Sequence, residues 1–252
     1  MTAKSDLAPR AEALRELHRA PELLVLPNAW DAASARLIAD ELGFPAVATT
    51  SAGVAEALGF ADGEATPPEA MLAAVGRIAA AVDVPVTADL EAGYGLSAET
   101  LVDSLLAAGA VGLNIEDTDH RGEGGALVAV ERQVARLGAI KAAGHAEGVD
   151  VVLNARVDSF LRGSRDVAGA LERARAYVAA GADCVYPIGI ADEATIATFV
   201  EGAGAPVNVF MRPGVPSLAR LGELGVARVT WGAGLFRTAL AAVREQLSAD
   251  GR

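Results

Sequence analysis

The chain has 252 residues, 52% of them hydrophobic, a formal net charge of −12 and a single cysteine. That length and apolar content suit one large α/β domain with a full core and exclude a disordered chain. The acidic balance excludes the basic face that nucleic-acid binding needs, the lone Cys184 excludes an intramolecular disulfide or CxxC site, and no apolar run reaches the 18 residues of a membrane span.

In chain order, residues 1–22 read as one helix. Its start, Met1 to Arg10, is polar rather than signal-like, so a cytoplasmic location is expected. Leu7, Leu14 and Leu17 are spaced to cap the floor of the following domain. Short β-branched runs then alternate with helical stretches. Leu23–Leu26 is the first candidate strand, followed by Asn28, Trp30 and Asp31. Ala46–Thr49 is the second; Thr50, Ser51, Ala52 and Gly53 follow as a small-residue loop whose backbone N–H groups suit an anionic oxygen. Val84–Ala88, the third, delivers Asp89 and Glu91 ahead of Gly93-Tyr94-Gly95. Gly112–Ile115 delivers Asn114, Glu116 and Asp117, and Val151–Ala155 delivers Asn154, Arg156 and Asp158. Cys184–Tyr186, Val207–Phe210 and Arg228–Trp231 contribute Tyr186, Asn208, Arg212, Thr230 and Trp231.

Between the runs, Ala98–Ala108 and Val167–Ala179 show helical apolar spacing. Gly43, Gly109, Gly181 and Gly225 each stand between a helical stretch and the next strand, where a left-handed residue ends a helix. Eight such units predict a single (β/α)8 barrel over residues 1–252, with an open doubly wound sheet as the competing topology.

In a barrel the chemistry gathers at the carboxyl ends of the strands. Asp89, Glu91, Glu116 and Asp117 fall there within 29 residues. Residues i and i+2 share a strand face, so Asp89 pairs with Glu91 and Asn114 with Glu116. Gathered carboxylates repel unless a cation compensates, and hard oxygen donors suit Mg²⁺ or Mn²⁺. The other reading is that each acid caps a helix or pairs with an arginine. Arg156 offers a planar fork for a substrate carboxylate or phosphonate, against an ion pair with Asp158 or a neighbouring acid.

Neither Lys4 nor Lys141 stands at a strand end, which removes a Schiff-base amine. Cys184 opens its strand, far from the site. Of the three histidines, His120 alone lies in a strand-end loop, while His18 and His145 read as solvated helix residues. Gly232-x-Gly234 is a weak phosphate-site signal that also reads as a turn. The loop Asp117 to Gly125 carries Gly122, Gly124 and Gly125 with Asp119, His120, Arg121 and Glu123. It reads either as a closing lid that brings His120 or Arg121 to the substrate or as an ordinary surface loop.

Three segments carry a family resemblance. Thr87-Ala-Asp89-Leu-Glu91-Ala-Gly-Tyr-Gly95 resembles the metal-loop signature of the isocitrate lyase/phosphoenolpyruvate mutase superfamily; Gly112-Leu-Asn-Ile-Glu-Asp117 resembles its strand-four glutamate motif; Asn154-Ala-Arg156-Val-Asp158 resembles its strand-five arginine motif. Leu58-Gly-Phe-Ala-Asp62 matches the loop in which the superfamily keeps an aspartate. The resemblance runs from about Leu26 to Ala239 and implies a barrel, a homo-oligomer (dimer or tetramer) with the last helix exchanged, and a small 2-oxo-acid bound with Mg²⁺. It implies Asp89 as main metal anchor with Glu91 and Glu116 beside it, Arg156 holding the substrate, and the Ser51–Gly53 backbone holding its carboxylate. With Ala52, Asp62 and Asn208 it completes the expected substrate-binding set, and Arg156, His120 and Glu116 form the expected catalytic set.

Two departures stand out. The loop Thr118-Asp-His-Arg-Gly-Glu-Gly-Gly125 lacks the cysteine of the KKCGH-type loop in isocitrate and methylisocitrate lyases, and it lacks the lysine and asparagine of the phosphonate enzymes. Glu91 stands where an aspartate is more usual. The expected activity is a Mg²⁺-dependent lyase or decarboxylase acting on a C–C bond of a small oxo- or hydroxy-acid through an enolate. The alternatives are a phosphonomutase or phosphonopyruvate hydrolase, and a silent oxo-acid-binding protein.

Overall fold

In the computed structural model, which describes residues 7–122 and 125–249, all eight expected strands are present and every named pairing is parallel. The first of them is interrupted. β1 (Leu24–Val25) pairs with the last strand and β2 (Asn28–Ala29) pairs with the next one, so later strand labels run one ahead of the barrel position. The change of partner falls at Leu26-Pro27: the Leu26 N–H donates to Val229 O at 2.9 Å, and Pro27 O accepts from Ala48 N at 3.2 Å. Proline has no N–H to give a ladder, so a strand that changes neighbours loses nothing there.

β3 (Val47–Thr49), β4 (Val86–Asp89), β5 (Gly112–Glu116), β6 (Val152–Val157) and β7 (Cys184–Pro187) follow β2 in one sheet; β8 (Asn208–Phe210) and β9 (Arg228–Thr230) join β1 in another. A parallel bridge between Val185 and Val207 links the two, and the cylinder closes. The outer ring is α2 (Ala32–Arg36) running into a π-helical turn at Leu37–Glu41, α3 (Ser51–Leu58), α4 (Pro68–Ala79), α5 (Ala98–Ala107), α6 (Val130–Ala146), α7 (Val167–Ala179), α8 (Glu193–Gly202), α9 (Leu218–Glu223) and α10 (Gly234–Ala249). Ser97, Asp166, Asp192 and Ser217 cap α5, α7, α8 and α9 by accepting from the N–H three residues on. Gly109 and Gly181 end α5 and α7 with φ of +84° and +104°, angles a β-carbon resists.

The expected 1–22 helix is α1 (Leu7–Arg19), with residues 1–6, Lys4 among them, outside the described residues. Leu7 and Leu14 are buried under the barrel and Leu17 is half-buried. A β-carbon on Gly112 would lie 2.8 Å from Leu14 Cδ2, so glycine at the foot of β5 lets α1 dock. His18 corrects an expectation: it is 2% exposed rather than solvated. Its Nδ1 lies 2.7 Å from Leu14 O, and its Nε2 lies 3.3 Å from Nη1 of the buried Arg228. Leu14 O can only accept and Arg228 can only donate, so His18 is neutral with its proton on Nδ1. Burial and then the Arg228 charge hold it down at about 4. No helix among the described residues is long and apolar enough to cross a membrane.

Candidate active site

Strand register sets the site in two rows. Asp89, Asn114, Asn154 and Cys184 are partnered across β4–β7, and two residues on, Glu116, Arg156 and Tyr186 are partnered across β5–β7. The strand alternation therefore points both rows to one face. In the lower row Asn154 Nδ2 donates to Asn114 Oδ1 at 2.8 Å. Cys184 is buried and its thiol is pushed up to about 12 by desolvation, which leaves it unreactive.

Asp89 ends β4. Its Oδ2 accepts from Ser51 Oγ at 2.8 Å and Ser51 N at 3.1 Å, and its own N–H donates to Thr49 Oγ1 at 2.9 Å. Its Oδ1 is buried with no hydrogen-bond partner among the described residues. One oxygen fixed and one unclaimed is the arrangement a direct cation ligand needs. Ser51, expected in the carboxylate cradle, thus commits its amide to Asp89. The Gly53 amide goes to Thr50 Oγ1 at 3.2 Å as the N-cap bond of α3, and a β-carbon there would meet Thr50 Cγ2 at 2.6 Å. Of the three expected amides, Ala52 is the one neither contact consumes.

Glu91 is turned aside by a left-handed backbone, φ +51°. Its Oε1 accepts from Tyr94 Oη at 2.8 Å and its Oε2 from the Glu64 N–H at 2.5 Å. Glu64 Oε1 in turn accepts from the Tyr94 N–H. Glu64 and Tyr94 also have positive φ, +60° and +55°, so three strained non-glycine residues hold one another in a closed hydrogen-bond ring. Burial raises the Glu91 carboxyl and the two donated bonds pull it back.

Glu116 is 3% exposed at the end of β5. Its Oε2 meets Arg156 Nη1 at 2.5 Å and its Oε1 meets His120 Nε2. Desolvation pushes its carboxyl up to about 7 against the pull of Arg156 and His120. The His120 imidazole is raised, chiefly by that bond to Glu116. Arg156 also forks onto Asp158, Nε to Oδ1 at 2.6 Å and Nη2 to Oδ2 at 2.8 Å, so the expected substrate clamp is held by its own carboxylates. Burial opposes the Arg156 charge, but Glu116 and Asp158 outweigh it and hold its pKa well above the usual value.

Asp117 leaves the expected acid cluster. Fully buried, it accepts from the Asp158 N–H at 2.8 Å and Tyr177 Oη at 2.7 Å, which ties β5 to β6 and α7. Asp31 is likewise structural, closing a capping box with Ser34 at the start of α2. Gly232 is a turn, its N–H held by Asn28 Oδ1 at 2.9 Å. Asn208 is buried inside the barrel, its Oδ1 3.3 Å from Thr230 Oγ1 and its Nδ2 unpartnered among the described residues. Asp62 is exposed in the loop after α3, close enough to feel Asp89, Arg156 and His120.

Among the described residues no three His, Cys, Asp or Glu side chains converge as ligands of one ion. Asp89, Glu91 and Glu116 therefore do not form a direct three-carboxylate cage here. Ring closure with Tyr94 and Glu64 takes Glu91, and the Arg156–His120 pair takes Glu116. The donor set still fits a hard divalent cation at one inner carboxylate, Asp89, with the remaining positions left to water and substrate.

The β5–α6 loop is folded down rather than open. Thr118 and Leu127 form an antiparallel bridge, and Asp119 N donates to Ala126 O at 2.8 Å. Arg121 Nη2 donates to Tyr94 O at 2.5 Å and its Nε lies 3.4 Å from Glu64 Oε2. Glu123 and Gly124 of this loop lie outside the described residues. Glu64 was not anticipated from sequence; its one signal is its place two residues after Asp62 in a loop already tied to the site.

A family model described as phosphoenolpyruvate phosphomutase matches residues 14–249. An uncharacterized protein of Mycobacterium tuberculosis is 36% identical over 90% of this chain and 86% of its own length. Oxaloacetate decarboxylase of Pseudomonas fluorescens is 30% identical over 94% and 83%. Among solved structures, a Burkholderia cenocepacia J2315 protein provisionally called a phosphonomutase superposes with a TM-score of 0.89 and 39% identity, covering 95% of this chain and 99% of that one.

Proposed function

We propose a reaction for this chain on one premise: it belongs to the phosphoenolpyruvate phosphomutase family, within the isocitrate lyase/phosphoenolpyruvate mutase superfamily, and is an enzyme of that superfamily of lyases and mutases. The reaction is cleavage of a C–C bond of a small 2-oxo- or 2-hydroxy-acid through an enolate, in a 2-oxo-diacid the bond between the carbon next to the oxo group and the distal carboxylate, with Mg²⁺ or Mn²⁺ as cofactor. A divalent cation held by Asp89 would supply Lewis acidity toward the acid's oxygens.

The observation that carries this reading is the half-buried His120 paired with the buried Glu116 next to Arg156. The loop above it offers neither thiol nor amine, so its proton donor is an imidazole kept charged by a carboxylate. Glu116 holds Nε2, which leaves Nδ1 on the side of the Gly63 turn, where a β-carbon on Gly63 would lie 3.4 Å from it. For a 2-oxo-diacid, the electron pair of the breaking bond passes onto the carbon next to the oxo group and is held there as the enolate, while the distal carboxylate leaves as carbon dioxide. Nδ1–H of His120 then protonates the carbanion carbon. Arg156 balances the anionic charge, and the Ala52 amide at the α3 terminus is the donor for a substrate carboxylate.

The relation to an oxaloacetate decarboxylase supports a C–C substrate. Similarity to the Burkholderia protein favours P–C chemistry as the second reading. Turnover of a panel of 2-oxo-acids and phosphonopyruvate, with Mg²⁺ present, separates the two: activity confined to phosphonopyruvate overturns the first. The assembly is a homo-oligomer built on α10, whose Leu240, Val243 and Leu247 expose 46%, 56% and 55% of their surface at helical spacing. Light scattering that finds a monomer at working concentration overturns that assembly.

A further inference from the structure

Beside the reaction site lies a cavity of about 130 Å³ between the β5–α6 loop and α6, lined by Glu64, Glu116, His120, Arg121, Arg132 and Arg136 among others. Three guanidinium groups meet there, and two of them are admitted by glycines of the Gly93-Tyr94-Gly95 loop. A β-carbon on Gly93 would lie 2.2 Å from Arg136 Nη2, and one on Gly95 would lie 2.0 Å from Arg121 Nη1. No side chain at either position is compatible with the arginines where they stand.

The carboxylates around the cavity are largely spent. Glu116 serves His120 and Arg156. Glu64 accepts from the Tyr94 N–H and sits 3.4 Å from Arg121 Nε. Asp119 Oδ1 accepts from the Arg121 and Gly122 N–H groups, and its Oδ2 is a distant 3.9 Å from Arg132 Nη1. Arg136 is left over: its Nε and Nη2 are buried with no hydrogen-bond partner among the described residues. A guanidinium does not shed its proton to escape such a position. Burial destabilises the Arg136 charge, Glu64 offsets part of this among the described residues, and repulsion from Arg132 and Arg121 adds to the penalty.

We infer that Arg136, with Arg121 and Arg132, forms a subsite for a small oxyanion, a carboxylate or phosphate group that presents two oxygens to the Nε and Nη2 edge of Arg136. The cavity volume suits one such group and not a nucleotide. Two sources share this chemistry: a distal carboxylate of the substrate, which rests on the reaction proposed above, or a free anion such as inorganic phosphate, which does not. Because Arg121 also latches onto Tyr94 O and Glu116 and His120 line the same cavity, an anion bound here adjoins the proton-holding pair.

Calorimetric titration of the full-length protein with inorganic phosphate at constant ionic strength tests the subsite without reference to turnover. Wild type is expected to bind one phosphate per chain. Arg136→Gln is expected to lose at least about tenfold in affinity, the size of a lost charge-assisted hydrogen bond, with Arg136→Lys falling between. Arg19→Gln, exposed at the end of α1 on the barrel floor, controls for net charge and is expected to bind as wild type. Circular dichroism and melting temperature verify that the variants fold. Equal phosphate binding by wild type and Arg136→Gln, or no binding by wild type, overturns the subsite. If succinate displaces phosphate and Arg136→Gln weakens both, the pocket receives a substrate carboxylate; if both bind together, it holds a free anion. Either result stands even if the proposed C–C cleavage fails its own assay.

Discussion

At the scale of single residues, the site divides into groups that face substrate and groups that hold them. Asp89 stands at the junction, one oxygen fixed by Ser51 and the other unclaimed. Asp89→Ala should abolish Mn²⁺ binding in a titration while leaving the melting temperature within a few degrees, because the strand below it is unaffected; retained affinity would move the cation elsewhere. Arg156 is a sharper case. Its fork is already satisfied by Asp158, so a substrate anion must compete with an internal carboxylate. Removing a charged partner from such a desolvated set costs about 2–5 kcal/mol, and Arg156→Ala should lower kcat/KM accordingly, with Arg156→Lys restoring part. Near-wild-type kinetics in the alanine variant would leave Arg156 a purely structural ion pair. The sequence makes these residues legible because strand ends of a barrel converge by rule. It did not separate Asp117 from its neighbours: an acid one position on from Glu116 turns to the opposite face, and its partners Tyr177 and Asp158 are 60 and 41 residues away.

At the scale of elements, three loops are fastened to one another across the strand ends. The Glu64–Glu91–Tyr94 ring locks the loop after α3 onto the loop after β4, and Arg121 latches the β5–α6 loop onto the same Tyr94. Three positive-φ residues at roughly 1–3 kcal/mol each persist only because each is held by the others. No local pattern announces such a ring. From sequence Glu64 reads as an ordinary acid and Glu91 as a metal-site acid; only the fold shows that they share a ring with Tyr94. For the β5–α6 loop, Mg²⁺ with a substrate analogue should protect against proteolysis, and His120→Ala should lower kcat more than it raises KM. Unchanged cleavage at saturating ligand, together with a fully active His120→Ala variant, would remove this loop from the chemistry.

At the scale of the whole molecule, the eight-unit alternation was readable because glycine ends and β-branched runs recur with barrel spacing. The break at Pro27 and the buried floor were not. α1 carries Arg15 and His18 inward, where Arg15 pairs with Asp183 at 2.9 Å and His18 accepts from Arg228. His18 is neutral when folded, with a pKa held down at about 4, while the unfolded chain protonates it near 6.5. The unfolded state therefore binds the extra proton between those values, and stability falls as pH drops from about 6.5 towards 4. The loss is on the order of 3 kcal/mol at full extent. Melting temperature measured across this range should fall more steeply in wild type than in His18→Gln, and parallel curves would mean that His18 is hydrated. The measurement that bears most directly on the central claim is carbon dioxide release from oxaloacetate by the purified enzyme, with Mn²⁺ or with excess chelator, in wild type and Asp89→Ala. Metal-dependent release in wild type, lost in both the chelated and the substituted protein, is the predicted result. Undiminished release in excess chelator, or turnover of phosphonopyruvate with none of oxaloacetate or any other 2-oxo-acid, would contradict it.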